Sequence, residues 1–170
     1  MTPTFFGPGT HGATFSPCRL WRYSLWRRWS DCSPDHMVAF IGLNPSTADE
    51  TKDDPTVRRC INYAKAWGFG GMVMLNAFAY RATDPNEMKR QADPVGPDND
   101  ACLSEASTLF ARMIACWGTH GVWLGRQDHV AELLKGQPLF HLGLTKGGSP
   151  RHPLYLPKSV SPVLWKGCGW

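Results

Sequence analysis

The chain has 170 residues, of which 42% are hydrophobic and 19% are charged, and its formal net charge is +4. This length fits a single domain over residues 1–170, and the composition excludes a disordered or collagen-like chain. The mild positive charge permits a polyanionic partner without requiring one. No run approaches the roughly 20 apolar residues of a membrane span, and no apolar stretch follows a charged N-terminal region as in a secretory signal. We therefore expect a cytoplasmic protein with no membrane partner.

The six cysteines are scattered along the chain without a C-x-x-C pair. Zinc sites and local iron–sulfur sites use cysteines at short, regular spacings. We therefore expect reduced thiols, no metal and no cofactor.

The predicted elements alternate between strands and helices. Residues 1–12, rich in glycine, proline and threonine, are expected to form a loose arm, and residues 18–29 alternate apolar residues with arginine, which predicts a half-exposed strand at the sheet edge. Short apolar runs predict four buried strands, at residues 37–43, 71–78, 113–117 and 139–144. Helices are predicted at residues 56–67, 98–111 and 125–134. This order predicts a three-layer α/β/α fold with a central, mostly parallel four-stranded sheet plus an N-terminal edge strand.

In a parallel sheet of this kind, ligands bind beyond the carboxyl ends of the strands. The loop after the first buried strand begins Gly42-Leu43-Asn44-Pro45-Ser46. Glycine permits a close backbone approach and proline stiffens the turn, so Asn44 is placed to project a fixed carboxamide into a cleft. The alternative is an asparagine that stabilises its own turn.

The second buried strand ends in Asn76, and a buried amide without a partner costs about 1–3 kcal/mol. A carboxamide offers a donor beside an acceptor, which complements the O4 and N3–H edge of uracil, while Phe78 or Tyr80 would cover a face of the ring. The alternative is that Asn76 pairs with neighbouring backbone.

The third and fourth loops carry glycines next to histidines. Trp117-Gly118-Thr119-His120-Gly121 predicts a tight turn near a ligand, or else an ordinary surface loop. In the fourth loop, a histidine held by a following proline, His152, is suited to donate a hydrogen bond to a developing oxyanion. Leu154 and Tyr155 are candidates for a wedge that fills the gap left by an extruded base.

The fourth loop also has the features of a phosphate-binding loop. Backbone amides of its Gly-Gly-Ser run, with two flanking cations, are suited to phosphate contacts, and the alternative is a flexible basic loop. The residues concerned are Lys146, Gly147, Gly148, Ser149 and Arg151.

The order of these four motifs resembles the uracil-DNA glycosylase superfamily. Its Gly-x-(Asp or Asn)-Pro turn is matched by Gly42-Leu43-Asn44-Pro45, and its Leu-Leu-Leu-Asn-Ala strand by Val73-Met74-Leu75-Asn76-Ala77. Its Trp-Gly-x-His and His-Pro motifs are matched by Trp117-Gly118-Thr119-His120 and His152-Pro153-Leu154. Residues 40–60 are similar to a narrower family of small bacterial and phage proteins of unassigned function.

The resemblance implies a role for each of the three central residues. Asn44 would position the hydrolytic water, Asn76 would read the base, and His152 would stabilise negative charge on the departing base. The strongest members of the superfamily carry Asp at the position of Asn44, and an amide cannot act as a general base. The missing carboxylate would come from Asp49, Asp53 or Asp54, for which helix capping and solvation are the alternative, and Asp49 is included in the expected catalytic set.

The function expected from the resemblance is that of a monofunctional DNA glycosylase that flips out a damaged or modified pyrimidine and hydrolyses its N-glycosidic bond. Leu43 is expected to contact the base, and Ser46, Thr119 and His120 are expected to contact DNA. The partner is DNA, and the protein acts as a monomer. The alternatives are a nucleobase-binding module without turnover and another base-modifying enzyme of phage DNA.

Overall fold

The computed structural model describes residues 9–167, which form a mixed α/β fold around a seven-stranded sheet. The strands are β1 (His11–Phe15), β2 (Arg22–Arg28), β3 (Met37–Gly42), β4 (Gly71–Asn76), β5 (Arg112–Ala115), β6 (Leu139–His141) and β7 (Val163–Leu164). The α-helices are α1 (Pro55–Ala66), α2 (Pro85–Lys89), α3 (Asn99–Leu109) and α4 (Arg126–Leu133). Two 3₁₀ segments lie at Pro34–His36 and Thr119–Gly125.

The strand order is β1-β2-β4-β3-β5-β6-β7. The central strands β4, β3, β5 and β6 pair in parallel, whereas β1, β2 and β7 join the sheet antiparallel. Parallel strands need crossover connections, and α1 links β3 to β4 in this way. The carboxyl ends of the four parallel strands therefore open at one edge of the sheet.

Both faces of the sheet are covered by helices. One apolar cluster joins β3 and β4 to buried residues of α1, and the other joins the opposite face to α3 and α4. Asp54 caps the N-terminus of α1: its carboxylate accepts the Val57 N–H at 2.8 Å, and Pro55 lies in the first turn. This is the favoured start for a helix, because the side chain satisfies an N–H that has no partner inside the helix. The three predicted helices lie within two residues of α1, α3 and α4.

The N-terminal part of the fold differs from the prediction. Residues 11 and 12 belong to β1 and not to a loose arm, and residues 1–8 lie outside the described residues. Strand β2 is not a half-exposed edge strand. Strand β1 pairs with its outer edge, and its first six residues are buried. The prediction failed because arginine in a strand normally indicates a solvent-facing position.

Two buried arginines of β2 hold the β3–α1 loop, residues 43–54. Arg27 donates to the Asp53 carboxylate at 2.8 Å and to the carbonyls of Asp49 and Lys52 at 2.8 and 3.1 Å. Arg22 donates to the carbonyl of Ala48 at 2.8 Å. A loop without regular structure is thus fixed by charge-assisted bonds from the strand beneath it. No helix within residues 9–167 is long and apolar enough to cross a membrane.

We expect Arg27→Met to lower the free energy of unfolding by about 2–4 kcal/mol, because it leaves partly buried loop carbonyls and a carboxylate without their donor. Urea unfolding measures this. Lys135→Met is the control: its ion pair with Glu132 is about three-quarters exposed, so its removal should leave stability nearly unchanged. Equal small effects of both substitutions would contradict a loop held by Arg27.

Candidate functional site

A cavity of about 510 Å³ opens at the carboxyl ends of the parallel strands. Asn44, Asn76 and His152, which lie far apart in the sequence, all line it. This volume is in the range of pockets that enclose small organic ligands. The other residues expected at the site that line the cavity are Leu43, Ser46, Thr119, His120, Arg151, Leu154 and Tyr155.

The side chain of Asn44 ties two loops together. Its Nδ2 donates to the carbonyls of Ala82 at 2.8 Å, Pro45 at 3.1 Å and Tyr80 at 3.4 Å. The amide nitrogen is therefore committed to the backbone of its own turn and of the loop after β4. Only Oδ1 remains to accept a hydrogen bond from water or a ligand.

Asn76 is buried, with 2% of its surface exposed. Its amide nitrogen has no hydrogen-bond partner in the part of the chain that the structure describes, while its backbone carbonyl accepts from Asn99 at 3.1 Å. Gly42 lies beside it, and a Cβ at that position would come within 3.0 Å of Asn76 Oδ1. A buried amide at the wall of a cavity, unsatisfied by the protein, is what a ligand acceptor would complete.

His152 stands at the cavity mouth beside the loop that follows β5. Gly118, at φ +75°, donates its N–H to the Pro150 carbonyl at 2.8 Å, and this bond joins the two loops. Nδ1 of His152 accepts the Leu154 N–H at 3.3 Å, so in the neutral ring Nε2 carries the proton. Partial burial lowers the pKa of His152 below its ordinary value, and the nearby carboxylate of Asp54 opposes this shift.

Asp54 also lines the cavity, and among the described residues it is the one carboxylate that does so. One of its oxygens caps α1 through Val57. Its charge acts on His152 and on the guanidinium of Arg22. The sequence pointed to Asp49, Asp53 and Asp54 together, and the structure places only Asp54 at the cavity.

Asp49 lies away from the cavity. Its carboxylate accepts from the backbone N–H groups of Thr51 at 2.9 Å and Lys52 at 2.7 Å, which fixes a turn and lowers its pKa. Its expected catalytic role is therefore not supported by its position.

The aromatic residues expected to cover a base also lie elsewhere. Phe78 is fully buried against Trp123 on the α3 and α4 side, with ring centroids 5.4 Å apart. Tyr80 packs edge-to-face on Trp21 at 6.5 Å. Strand β4 ends at Asn76, and the chain beyond it returns to the cavity wall only at Ala82, Thr83 and Pro85.

The predicted phosphate loop is a closed turn. The N–H groups of Gly148 and Ser149 donate to Thr145, to its carbonyl at 3.0 Å and its hydroxyl at 3.1 Å. The hydroxyl of Ser149 is buried against Gln127 at 3.0 Å. Both N–H groups are thus used inside the turn, and neither they nor Lys146 and Gly147 line the cavity.

Helix α1 holds the segment that carries Tyr155. The Tyr63 hydroxyl donates towards the carbonyl of Pro157 at 3.1 Å, and Arg59 donates to the carbonyl of Leu156. These bonds hold the segment in which Tyr155 has φ +68° and is 94% exposed. A left-handed tyrosine is strained, and such strain persists only where surrounding contacts hold it.

Sequence reasoning missed Arg22 as a cavity residue. It is 2% exposed, lines the cavity and has an Nε without a partner among residues 9–167. Nothing in the local pattern marked it, since an arginine in an alternating strand is ordinarily exposed. Within the same residues, no group of three or more His, Cys, Asp or Glu side chains is arranged to hold a metal ion.

We expect Asp54→Asn to lower the pKa of His152 further, because the anion that favours the imidazolium is removed. An NMR titration of the imidazole measures this and also reports the Nε2-protonated tautomer. Asp49→Asn, on the same loop but outside the cavity, should leave the titration unchanged. An unchanged His152 titration in Asp54→Asn would show that the two groups do not face each other.

A protein-family model described as "Protein of unknown function (DUF1643)" matches residues 22–154, which is more than half of the chain. No curated protein and no solved structure matches it. The matched segment contains every element from β2 to the loop with His152. On this match, the chain belongs to the DUF1643 family of proteins of unknown function.

Proposed function

We propose that the protein is a DNA glycosylase of the uracil-DNA glycosylase type, which flips a damaged or modified pyrimidine into the cavity and hydrolyses its N-glycosidic bond. The observation that carries this proposal is the convergence of Asn76, His152 and Asp54 on one cavity. The proposal is also supported by the mixed α/β fold, in which helices cover both faces of a sheet whose central strands run parallel. The motifs stand in the expected order at the carboxyl ends of these strands.

Asn76 is the residue that reads the base. Its buried amide nitrogen lacks an acceptor, and the O4 of a uracil-type base would supply one, while Oδ1 accepts the N3–H. A base without this pair of groups would leave the amide unsatisfied, at a cost of about 1–3 kcal/mol. The specificity for a pyrimidine edge follows from this penalty.

His152 stabilises the leaving base. When the bond between C1′ and N1 breaks, its electron pair leaves with the base and negative charge develops on O2. The neutral imidazole offers Nε2–H to this oxygen, because Nδ1 already accepts the Leu154 N–H. A lowered pKa keeps the ring in this neutral donor form at pH 7.

Asp54 supplies the carboxylate that Asn44 lacks. Its charge balances the oxocarbenium ion that forms at C1′, and its second oxygen can accept a proton from the attacking water. That water adds to C1′, and its proton finally passes to the released base. Asn44 contributes Oδ1 to orient the water, since Nδ2 is bonded to carbonyls. Asp54 is therefore the position at which to test the chemistry.

We expect the protein to release free base from DNA that contains uracil or 5-hydroxymethyluracil, and Asp54→Asn to slow this release roughly 100-fold or more. Asparagine is as good a helix cap as aspartate, so α1 should form normally in the variant. Base release in single turnover, with thermal unfolding as the check on folding, measures the effect.

Asp49→Asn is the matched control, because Asp49 is a carboxylate of the same loop whose oxygens serve a turn outside the cavity. It should release base at the wild-type rate. No release by the wild-type protein from a broad panel of modified duplexes and single strands would remove the glycosylase proposal.

Tyr155 is placed to stack on DNA at the cavity mouth. Its ring is almost fully exposed and its backbone is held in the left-handed region, where a tyrosine has no conformational reason to be. An aromatic ring so held would stack on a neighbouring base or fill the gap left by the flipped one.

We expect Tyr155→Gly to weaken DNA binding by about 1–3 kcal/mol, the usual contribution of one stacked base. Glycine adopts a positive φ without strain, so stability should be unchanged or slightly raised. Fluorescence anisotropy with labelled DNA and a urea unfolding curve measure the two quantities. Binding unaffected by Tyr155→Gly would refute the stacking role.

A binding module without turnover is the second candidate. It is favoured by the hydrogen bond that Asp54 accepts from the Val57 N–H, because one of the two carboxylate oxygens is then used to cap the helix. The same assays separate the two functions. Binding of base-modified DNA without release, unaltered by Asp54→Asn, would identify a sensor in place of an enzyme.

A further inference from the structure

Arg22 is a buried cation at the wall of the cavity that the proposed chemistry does not use. It is 2% exposed. Its Nη1 donates to the Ala48 carbonyl, and its Nε has no partner within the described part of the chain. Strand β2 lies next to β4, which ends in Asn76. Two buried side chains of neighbouring strands therefore line the same cavity, each with an N–H donor that the protein leaves unused.

The charge of Arg22 has no direct counter-ion. Asp54 and Asp49 act on it electrostatically. Their hydrogen-bonded oxygens accept from backbone N–H groups and, for Asp49, also from the Thr51 hydroxyl. No carboxylate of residues 9–167 lies within salt-bridge distance of Arg22. Burial lowers the pKa of Arg22 to about 10, so the guanidinium remains protonated at neutral pH. A buried charge is costly unless an opposite charge or hydrogen bonds satisfy it.

The cavity is also larger than an unsubstituted pyrimidine needs. Uracil has eight non-hydrogen atoms, fewer than the drug-sized ligands that pockets of about 300–1,000 Å³ enclose. The cavity measures about 510 Å³. Of its lining residues, Arg22 and Arg151 are cationic and Asp54 is anionic, so the remaining space favours a negative group.

We propose that the cavity binds a pyrimidine that carries an anionic substituent on its ring, a carboxylate being the simplest, and that Arg22 is the counter-charge for it. This inference rests on the proposed function, because it assigns the substrate class of the same site. The guanidinium would donate Nε–H to the carboxylate while Asn76 holds the O4 and N3–H edge. Fork-shaped donation by arginine matches the geometry of a carboxylate.

The test is calorimetric titration of the wild-type protein with free bases: uracil, 5-hydroxymethyluracil and 5-carboxyuracil. We expect 5-carboxyuracil to bind roughly tenfold or more tightly than the two neutral bases, because a hydrogen bond to a charged group contributes more than one between neutral groups. Uracil-6-carboxylate carries the same charge at another ring position, and its affinity should exceed that of uracil by a smaller factor. Deoxyuridine and its 5′-monophosphate form a further pair, which tests whether the anion that Arg22 takes is a phosphate.

Variants separate recognition from folding. Arg22→Lys should reduce the preference for 5-carboxyuracil at least severalfold, since lysine lacks the planar fork. Arg27→Lys is the matched control, because Arg27 is also a buried arginine of β2 that holds the β3–α1 loop but does not line the cavity. It should keep the preference. Thermal unfolding monitors both variants, and if Arg22→Lys does not fold, the wild-type comparison of bases decides.

The outcomes are distinct. Equal or weaker binding of 5-carboxyuracil than of uracil overturns the anionic substrate class and leaves the proposed glycosylase standing. If the 5′-phosphate raises the affinity in a way that depends on Arg22 and the ring carboxylate does not, the anionic substrate class is also overturned. Arg22 is then assigned to phosphate binding. Failure of every base to bind overturns the anionic substrate class, while base release from DNA decides the proposed glycosylase separately.

Discussion

The loop between β3 and α1 depends on arginines that reach it from the neighbouring β2. Arg27 directs donors at the Asp53 carboxylate and at two loop carbonyls, and Arg22 binds the carbonyl of Ala48. Backbone carbonyls in a loop without regular structure would otherwise require water, and two of the residues that line the cavity, Asn44 and Asp54, lie on this loop. The arginines of β2 therefore fix the shape of the site, although Arg22 is the one residue of this strand that lines the cavity.

The other walls are joined to one another in the same way. Asn44 bonds the β3–α1 loop to the carbonyl of Ala82 after β4, and Gly118 bonds the loop after β5 to Pro150 after β6. Each of these hydrogen bonds thus joins two neighbouring loops of the cavity through a backbone carbonyl. Such cross-linking is what lets side chains from separate loops keep a defined geometry, which any chemistry at the site requires.

The strongly periodic parts of the fold could be predicted from the sequence. The helices α1, α3 and α4 and the four parallel strands follow from apolar runs and capping residues, and their order brings Asn44, Asn76 and His152 to one edge. The outer strands β1 and β7 were missed because neither is a buried apolar run: one of the five residues of β1 is buried, and both residues of β7 are exposed. The short helix α2 was also missed and was taken as part of a loop.

The misplaced site residues have a different cause. Phe78, Tyr80 and Ser149 lie within a few residues of cavity residues, yet their side chains pack on Trp123, Trp21 and Gln127. Proximity along the chain does not fix the direction of a side chain once a strand has ended. Arg22 was missed because burial of a charged residue is decided by tertiary contacts, here with a loop about 26 residues further on.

The attachment of residues 152–157 to α1 has a mechanical consequence. Asp54 caps this helix, and one to three turns later Arg59 and Tyr63 hold the carbonyls of Leu156 and Pro157. Asp54 and the segment with His152 are thus both attached to α1, while the amide of Asn76 belongs to the sheet. The spacing between the carboxylate and the imidazole therefore depends on one helix, and a shift of α1 would move both groups together relative to Asn76.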